Sequence, residues 1–321
     1  MSRSQYYRRI FSAYLTRGAS HVSFWHDRPY PSSESSATAL GEYYMPFTSK
    51  ANYPHLDACG IPRLNYRGSI GWQYNPIAIA QFGLGNHTLF CRTGNQQYRD
   101  RFLIAASWMV RNLEKNDFGL HVWHHHFDWD YRSPLKAPWY SGLAQGQGIS
   151  LLVRAFHETR DDYYLRAARH AFISLCTPVD GGGVLLQNGE HVWLEEYIVH
   201  PPTHILNGCM WANWGVYDYW LTTGDEGARQ LFSAVARSLA LQLPAFDTGF
   251  WSLYEQCGKR MSMLASPFYH RLHIAQLEIM HRLTSDCIFQ EFAHRWRTYQ
   301  RSAVKRSFAL LHKSTFKLFY Y

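Results

Sequence analysis

Several common sequence features are missing, and each absence excludes a class of protein. Charged residues make up only 17% of the chain, and no stretch approaches the roughly 18 consecutive apolar residues of a transmembrane helix. There is no Walker A, GxGxxG or GxSxG motif, which argues against a P-loop protein, a dinucleotide-binding fold and a serine hydrolase. The six cysteines are scattered and form no CxxC pair, so we expect reduced, mostly buried thiols rather than disulfides or a zinc site.

The composition predicts a folded, aromatic-rich and basic protein. The 321 residues include 12 Trp, 22 Tyr and 19 Phe, and 46% are hydrophobic, which excludes a disordered chain or a coiled coil. A net charge of +8 favours nucleic acid, anionic lipid or an acidic polysaccharide as partner, and the lack of a recognisable binding module disfavours nucleic acid. The N-terminal arginines precede no apolar segment of a signal peptide. We therefore expect a cytoplasmic protein and leave open the inner membrane surface.

Four similar joints recur along the chain at intervals of 61 to 66 residues. They are Thr93-Gly94-Asn95, Thr159-Arg160-Asp161, Thr223-Gly224-Asp225 and Thr284-Ser285-Asp286. An apolar stretch precedes each joint, and the Asn or Asp can cap the following helix. The first three hairpins end in the glycine turns Asp117-Phe118-Gly119, Asp180-Gly181-Gly182 and Asp247-Thr248-Gly249, each followed by a short aromatic segment. The repeating unit is therefore helix, joint, helix, glycine turn and extended segment.

Helical hairpins with this period bury their faces on one another, which predicts an all-α fold. We expect an incomplete (α/α) toroid of about four hairpins with short β-hairpin or extended loops at one end, and a straight solenoid is the competing geometry. Residues 71–321 would form the toroid, and residues 1–70 an N-terminal helix and an irregular arm. Stacking in register would bring the segments after the glycine turns into one cleft.

Polar side chains occur where the repeat predicts this cleft, in Trp193–Tyr197, Trp251–Glu255 and Tyr269–Gln276. Strand alternation would place Glu195 and Glu196 on opposite sides. Tyr, Glu and His near cations favour proton transfer over nucleophilic catalysis. A single Tyr or Trp at a repeat-equivalent position is more often a core residue, so the set as a whole carries the hypothesis.

Short motifs also occur in a fixed order between Tyr43 and Leu283. They are Pro76–Leu84, Ser141–Ser150, Glu195–Tyr197, Ile205–Gly208, Gly215–Asp218, Ser252–Tyr254, Tyr269-His270, His273-Ile274 and Gln276-Leu277. Each motif alone is weak, but the ordered set is specific. It resembles the C-terminal catalytic domain of the D-glucuronyl C5-epimerase family.

This resemblance implies an (α/α) toroid that inverts C5 of D-glucuronate in a heparosan-like polymer to give L-iduronate. The family's Glu-Tyr pair corresponds to Glu196 and Tyr197, and its two other active-site tyrosines correspond to Tyr254 and Tyr269. The family pattern Tyr-Asp-x-Arg is replaced by Tyr254-Glu255-Gln256-Cys257, so one expected arginine is missing. The β-rich domains and membrane anchor of the animal enzymes have no counterpart in this length, which suggests a compact bacterial-type member.

The chemistry of such a reaction suits these residues. The C5 hydrogen is α to a carboxylate, so a site must neutralise that carboxylate and exchange protons on both faces of the ring. We hypothesise Glu196 on one face and Tyr269 on the other, with Tyr197 and Tyr254 orienting the substrate or relaying a proton. A tyrosine with an ordinary pKa near 10 is a poor base at neutral pH, so either a strong local field acts on it or Glu196 is the base.

Further side chains are predicted to bind the substrate. The candidate carboxylate or sulfate clamps are Arg271, Arg132 and Lys136, and the remaining candidates are His270, His273, Gln145, Asn207, Gln81, His124 and His126. His124 and His126, with Asp128 or Asp130, could also form a metal site, but no ligand set of fixed spacing is present. We therefore predict no metal and no cofactor, and leave open an assisting divalent ion such as Ca²⁺.

Other functions remain open at this point. A polysaccharide lyase begins with the same proton abstraction, and a non-catalytic polysaccharide-binding or assembly protein would share the fold. A glycoside hydrolase needs two separated carboxylates, which Glu195 and Glu196 do not provide, although Asp180, Asp247 or Glu255 could supply a partner. The expected partner is an acidic polysaccharide. A homodimer and a peripheral membrane contact through the basic termini are also left open.

Overall fold

The computed structural model describes residues 28–66, 68–131, 133–256, 258 and 261–320. The helices in this part of the chain are α1 Pro76–Thr93, α2 Gln96–Arg111, α3 Gly142–Thr159, α4 Asp162–Cys176, α5 Leu206–Thr223, α6 Glu226–Gln242, α7 Pro267–Thr284, α8 Cys287–Arg301 and α9 Ala303–Tyr320. Short 3-10 helices occur at Thr48–Ala51, Val179–Gly181 and Leu243–Phe246. Consecutive helices pair as four hairpins, α1–α2 to α7–α8, and α9 follows them.

The strands are short and form isolated antiparallel pairs. They are β1 Leu64–Asn65 with β2 Trp72–Gln73, β3 Glu114–Lys115 with β4 His121–Val122, β5 Trp129–Asp130 with β6 Pro134–Leu135, and β7 Leu185–Asn188 with β8 His191–Leu194. Within the described residues every sheet has two strands. The predicted all-α class with short extended loops is therefore confirmed.

The four predicted joints are confirmed, and they share one hydrogen-bonding pattern. Each first helix ends in a threonine whose hydroxyl donates to the carbonyl four residues earlier and accepts the N–H of the Asn or Asp two residues later. The middle residue has a left-handed backbone, with φ of 60° at both Arg160 and Ser285. Glycine occupies this position in the other two joints, where φ > 0 carries no steric penalty.

The residue after each left-handed position caps the next helix, as predicted. The side chains of Asn95, Asp161, Asp225 and Asp286 accept a backbone N–H in the first turn of α2, α4, α6 and α8 respectively. The glycine turns also repeat, because Gly119, Gly182 and Gly249 have φ values of 80°, 83° and 80°. The same local chemistry therefore produces the repeat along the chain.

The chain divides into two compact units. The larger comprises Ser32–Pro202 and Gly208–Val235, and the smaller comprises Thr203–Asn207 together with the described residues of Met1–Pro31 and Ala236–Tyr321. The predicted boundary near residue 70 stays a prediction. The predicted N-terminal helix lies outside the described residues.

In the larger unit, α3 is the central helix and is buried from Gly142 to Ala155. It crosses α5 at two glycines. A Cβ atom on Gly215 would lie 2.4 Å from the Cα of Gly146, and a Cβ on Gly146 would lie 2.5 Å from the Cα of Ala212. The two helix backbones can approach this closely only because both positions lack a side chain.

The irregular segment before α1 is held in the larger unit by a buried ion pair. Arg154 of α3 donates to Asp218 of α5 at 2.6 Å and to the carbonyl of Gly41 at 3.0 Å. The hydroxyl of Tyr44 donates to the other Asp218 oxygen at 2.7 Å, and the guanidinium lies 5.0 Å from the centre of the Tyr43 ring. The side chains of this ion pair and of the two tyrosines are all buried, so the segment around Tyr43 and Tyr44 is part of the core.

The expectation of mostly buried cysteines is wrong. Of the described cysteines only Cys209 is buried, whereas Cys59, Cys91, Cys176 and Cys287 are exposed. All of them are free thiols, as expected. The exposed ones lie at the ends of helices or in the segment before α1, where the local structure does not require burial.

Among the described helices none is long and apolar enough to cross a membrane.

Candidate active site

Glu195 and Glu196 follow β8, which ends at Leu194. The strand alternation expected for residues 195–197 is therefore wrong, because the chain bends there. Two backbone hydrogen bonds fix the bend: the N–H of Glu195 donates to the carbonyl of Val184 at 2.9 Å, and its carbonyl accepts the N–H of Gly142 at 3.0 Å. Both carboxylate side chains are buried.

Two glycines allow this bend to lie against helix termini. A Cβ atom on Gly142, the first residue of α3, would lie 2.4 Å from the carbonyl oxygen of Glu195. A Cβ atom on Gly208, in the first turn of α5, would lie 2.3 Å from Oε2 of Glu196. The Glu196 carboxylate thus rests on the N-terminal turn of a helix, where the helix dipole favours a negative charge.

Tyr197 is half-buried and belongs to an aromatic cluster in the larger unit. Its ring centre lies 4.5 Å from that of Tyr131 and 5.7 Å from that of Trp139. Tyr131 lies in the turn between β5 and β6, and Lys136 follows that strand pair. Lys136 donates to Asp128 at 2.6 Å and is highly exposed, while Arg132 lies outside the described residues. This hairpin therefore presents an aromatic face beside Tyr197 and an ion pair to solvent.

The predicted glutamines lie on neighbouring helices of the larger unit. The side-chain amide of Gln81 in α1 donates to Oε1 of Gln147 in α3 at 3.2 Å. Gln145, also on α3, is completely buried, and among the described residues neither polar atom of its side-chain amide has a hydrogen-bond partner. A buried amide without partners is costly, so a polar group from a ligand or water would stabilise it.

His124 and His126 share one carboxylate. Oε2 of Glu114 lies 3.2 Å from Nδ1 of His124 and 3.3 Å from Nε2 of His126. Burial lowers the pKa of His124, and Glu114 partly opposes that effect. Between them, His125 is completely buried and stacks on Trp139 at 3.9 Å, which makes it a core residue. Within the described residues no group of three or more His, Cys, Asp or Glu side chains is suited to hold a metal ion.

Tyr254 and Tyr269 lie together in the smaller unit. Their ring centres are 4.8 Å apart in an edge-to-face arrangement, and both side chains are half-buried. The backbone of Tyr254 donates to the carbonyl of Met263 and accepts from the N–H of Leu206. Tyr269 is in the first turn of α7, where its N–H donates to the capping hydroxyl of Ser266. The pair is therefore fixed by a loop on one side and a helix start on the other.

His270 and His273 belong to a buried network centred on Ser252. The Ser252 hydroxyl is 2.8 Å from Nδ1 of His270 and 3.0 Å from Nδ1 of His273. Nε2 of His270 lies 3.0 Å from the carbonyl of Trp296, which requires the proton on Nε2 and leaves Nδ1 to accept the Ser252 N–H. Burial lowers the pKa of His270 to about 3 and that of His273 well below its ordinary range, so both rings are neutral.

The remaining candidates of the smaller unit are Asn207 and Arg271. Asn207 is buried, and its carbonyl accepts the side-chain amide of Gln276 at 3.0 Å. Arg271 of α7 is half-buried, and burial together with the positive charge of Arg28 lowers the pKa of its guanidinium. An anion that binds to Arg271 would relieve this repulsion.

The structure thus groups Glu196, Tyr197 and the glutamines in the larger unit, and Tyr254, Tyr269 and the histidine pair in the smaller one. Residues to which the sequence assigned no role are Gly208, Ser252 and Glu114, whose contacts are with residues distant in sequence. Ser252 and Gly208 do lie inside family motifs, which is the signal that could have identified them. Glu114 carries no such signal.

Comparisons with known proteins bear on the family of the chain. The family described as D-glucuronyl C5-epimerase C-terminus matches residues 116–298. A D-glucuronyl C5-epimerase of Caenorhabditis elegans is 31% identical over 228 residues, which cover 64% of this chain and 35% of that protein. An uncharacterized protein of Methanocaldococcus jannaschii is 27% identical over 213 residues, which cover 63% of this chain and 68% of that protein.

Among solved structures, a cellobiose 2-epimerase from Spirochaeta thermophila has a TM-score of 0.53 and 13% identity, covering 78% of this chain and 65% of that one. At this identity the likeness is one of fold, and it confirms the predicted (α/α) toroid class. The chain spans about a third of the length of the Caenorhabditis elegans relative, so the match concerns one part of that protein.

Proposed function

Because the chain belongs to the D-glucuronyl C5-epimerase C-terminus family, we propose that it is an epimerase that inverts C5 of D-glucuronate in a heparosan-like acidic polysaccharide, giving L-iduronate. The observation that carries this proposal is the placement of Glu196. Its carboxylate is buried against the first turn of α5, and the adjacent backbone is fixed to the start of α3. A carboxylate held rigidly in a water-poor site is suited to move a proton.

The proposed reaction has two proton transfers. Glu196 removes the C5 proton, and the electron pair of the C–H bond moves into the substrate carboxylate to form an enediolate. Tyr269 then donates its hydroxyl proton to the opposite face of C5, which leaves a protonated Glu196 and a Tyr269 phenolate. Proton exchange with solvent restores both groups. The start of α7 favours that phenolate, because Tyr269 lies in the first turn and helical side chains point toward the N-terminus.

The other candidates receive supporting roles. Tyr254, edge-on to Tyr269, and Tyr197, within its aromatic cluster, orient the substrate. Arg271 pairs with the glucuronate carboxylate, since an anion relieves its repulsion from Arg28. The ring nitrogens of His270 contact Ser252 and the carbonyl of Trp296, and His273 contacts the same Ser252 hydroxyl, so we assign both to positioning the Ser252–Tyr254 segment rather than to substrate contact.

The polar side chains of the larger unit are proposed to bind the polymer. These are Gln81, Gln145, His124, His126 and Lys136, and Asn207 of the smaller unit would have the same role. Lys136 is exposed and can exchange its partner Asp128 for a substrate anion. His124 and His126 can donate to sugar hydroxyls while Glu114 holds their rings in place.

NMR of heparosan incubated with the protein in D₂O tests the proposal. Epimerisation by this route places deuterium at C5 and produces iduronate signals. Glu196→Gln and Tyr269→Phe should lower turnover by at least a hundredfold while heparosan binding persists, and Glu195→Gln is the control for the adjacent carboxylate. Iduronate without C5 label refutes the proton-transfer scheme. An unsaturated uronate, detected by its ultraviolet absorbance, would identify a lyase instead.

A further inference from the structure

The last helix exposes an apolar stripe. Val304, Phe308, Leu311 and Leu318 of α9 are 65%, 58%, 66% and 71% exposed, far more than most large apolar side chains of the protein. Their spacing of four, three and seven residues places all four on one face of the helix. Among the described aromatic rings, that of Phe250 lies 6.4 Å from the ring centre of Phe308. A continuous stripe of this kind indicates an interaction surface.

This stripe is not the face that holds α9 to the protein. The opposite face carries Ala309, Leu310, Lys313 and Phe316, all of which are buried. Nζ of Lys313 donates to the carbonyl of Leu264 at 2.6 Å, which fixes the helix on that side. The helix is therefore anchored through one face and presents a second apolar face outward.

The segment that carries the stripe is strongly basic in sequence, although Lys313 lies on the anchored face and Arg295 and Arg297 form ion pairs with Asp247 and Glu278. Residues 292–321 contain no Asp or Glu, and their cations are Arg295, Arg297, Arg301, Lys305, Arg306, Lys313 and Lys317. Nζ of Lys305 donates to the carbonyl of Gly249, and Arg306 donates to the carbonyls of Gln300 and Arg301. Within the described part of the chain, Lys305 and Arg306 form no ion pair, so their charges attract anions.

We propose that the α9 stripe docks on an anionic lipid bilayer, with the helix lying in the plane of the interface. An outward apolar face combined with flanking cations is the pattern of interfacial helices, whose apolar side chains enter the lipid while the cations bind the headgroups. The acidic polysaccharide does not explain the stripe, because a polyanion offers no apolar surface of this length.

A second copy of the chain is a poorer occupant. Four side chains on one helix fall well short of the roughly 20 to 30 residues that each partner contributes to a stable interface. Two copies would also bring together two identical basic segments, whose like charges repel. Neither objection applies to an anionic bilayer.

The test uses flotation of the full chain with vesicles of phosphatidylcholine alone or mixed with phosphatidylglycerol. We expect binding to the anionic vesicles, little to the neutral ones, and loss of binding at high salt. Leu311→Ser should weaken binding about tenfold, since it removes one large apolar side chain from the lipid contact. Leu241→Ser is the matched control, because Leu241 is 67% exposed on α6 and lies off the stripe.

Both leucines are exposed, so both variants should keep the circular dichroism spectrum and thermal midpoint of the parent protein. Their turnover of heparosan in solution should also be unchanged, which separates this surface from the proposed active site. Absence of binding to anionic vesicles overturns the proposal, as does equal binding by Leu311→Ser and the parent. A concentration-dependent dimer that Leu311→Ser abolishes, measured by light scattering, would assign the stripe to a second copy instead.

Discussion

Gly208→Ala should inactivate the protein without unfolding it. The new Cβ would lie 2.3 Å from Oε2 and 2.5 Å from Cβ of Glu196, whereas ordinary contacts begin at 3.4 Å. Glu196 must therefore move by about 1 Å, and displacements of this size cost roughly a hundredfold in rate at a catalytic centre. Alanine is favoured over glycine within a helix by about 0.5–1 kcal/mol, which offsets part of the strain.

The assay follows C5 hydrogen exchange of heparosan in D₂O by NMR, together with thermal unfolding. We expect turnover to fall about a hundredfold while the thermal midpoint stays within a few degrees of the parent value. Gly227→Ala is the matched control, since the same substitution in the first turn of α6 meets only the end of the Asp225 side chain, at 3.1 Å. The control should keep full activity.

Two results would refute this reasoning. Parent-level exchange in a folded Gly208→Ala protein would show that the position of Glu196 does not matter for the reaction. A loss confined to KM, with kcat unchanged, would assign Glu196 to substrate binding rather than to proton transfer.

Three further predictions concern the fold and are checked by urea unfolding. Arg154→Met should lower the free energy of unfolding by about 3–5 kcal/mol because it leaves the buried Asp218 carboxylate unpaired. Adding Asp218→Leu should recover most of this loss, and equal stability of the single and double variants would contradict the reasoning. Burial lowers the pKa of His270 to about 3 from 6.5, so between these pH values the unfolded chain binds this proton more readily than the folded protein does. The free energy of unfolding should therefore fall as the pH is lowered from 6.5 toward 3, by about 2 kcal/mol at pH 5. His270→Gln should remove this share of the pH dependence, whereas the buried His87, His125 and His273 keep theirs. Arg160→Gly should stabilise by about 1 kcal/mol by relieving its left-handed backbone, whereas Asp161→Ala should cost about 1 kcal/mol through the lost cap.

The sequence predicted those parts of the fold that depend on local chemistry. The joints could be located because a threonine, a left-handed residue and a capping Asn or Asp act within three consecutive positions. Contacts between distant segments could not be predicted in this way. Strand β8 ends before Glu195 because of its pairing with β7 and the close approach of Gly142 to the Glu195 carbonyl. The alternation of polar and apolar residues in the sequence shows neither contact.

The candidate site shows the same division. Motif resemblance indicated Glu196, Tyr254 and Tyr269, and the structure adds what surrounds them. The burial of His270 and its bonds to Ser252 and Trp296 depend on packing against α8, which no spacing in the sequence reveals. Roles that need contact with substrate therefore stay predictions until the variants are assayed.

The bond from Tyr44 to Asp218 joins residues 174 positions apart. During synthesis on a ribosome, the segment around Tyr44 emerges long before its partner helix exists. At translation rates of about 5–20 residues per second, its aromatic side chains would wait roughly 9–35 s before they could be buried. We therefore expect nascent chains that stop short of α5 to be cut by protease near Tyr44, and chains released after α5 to resist cleavage there.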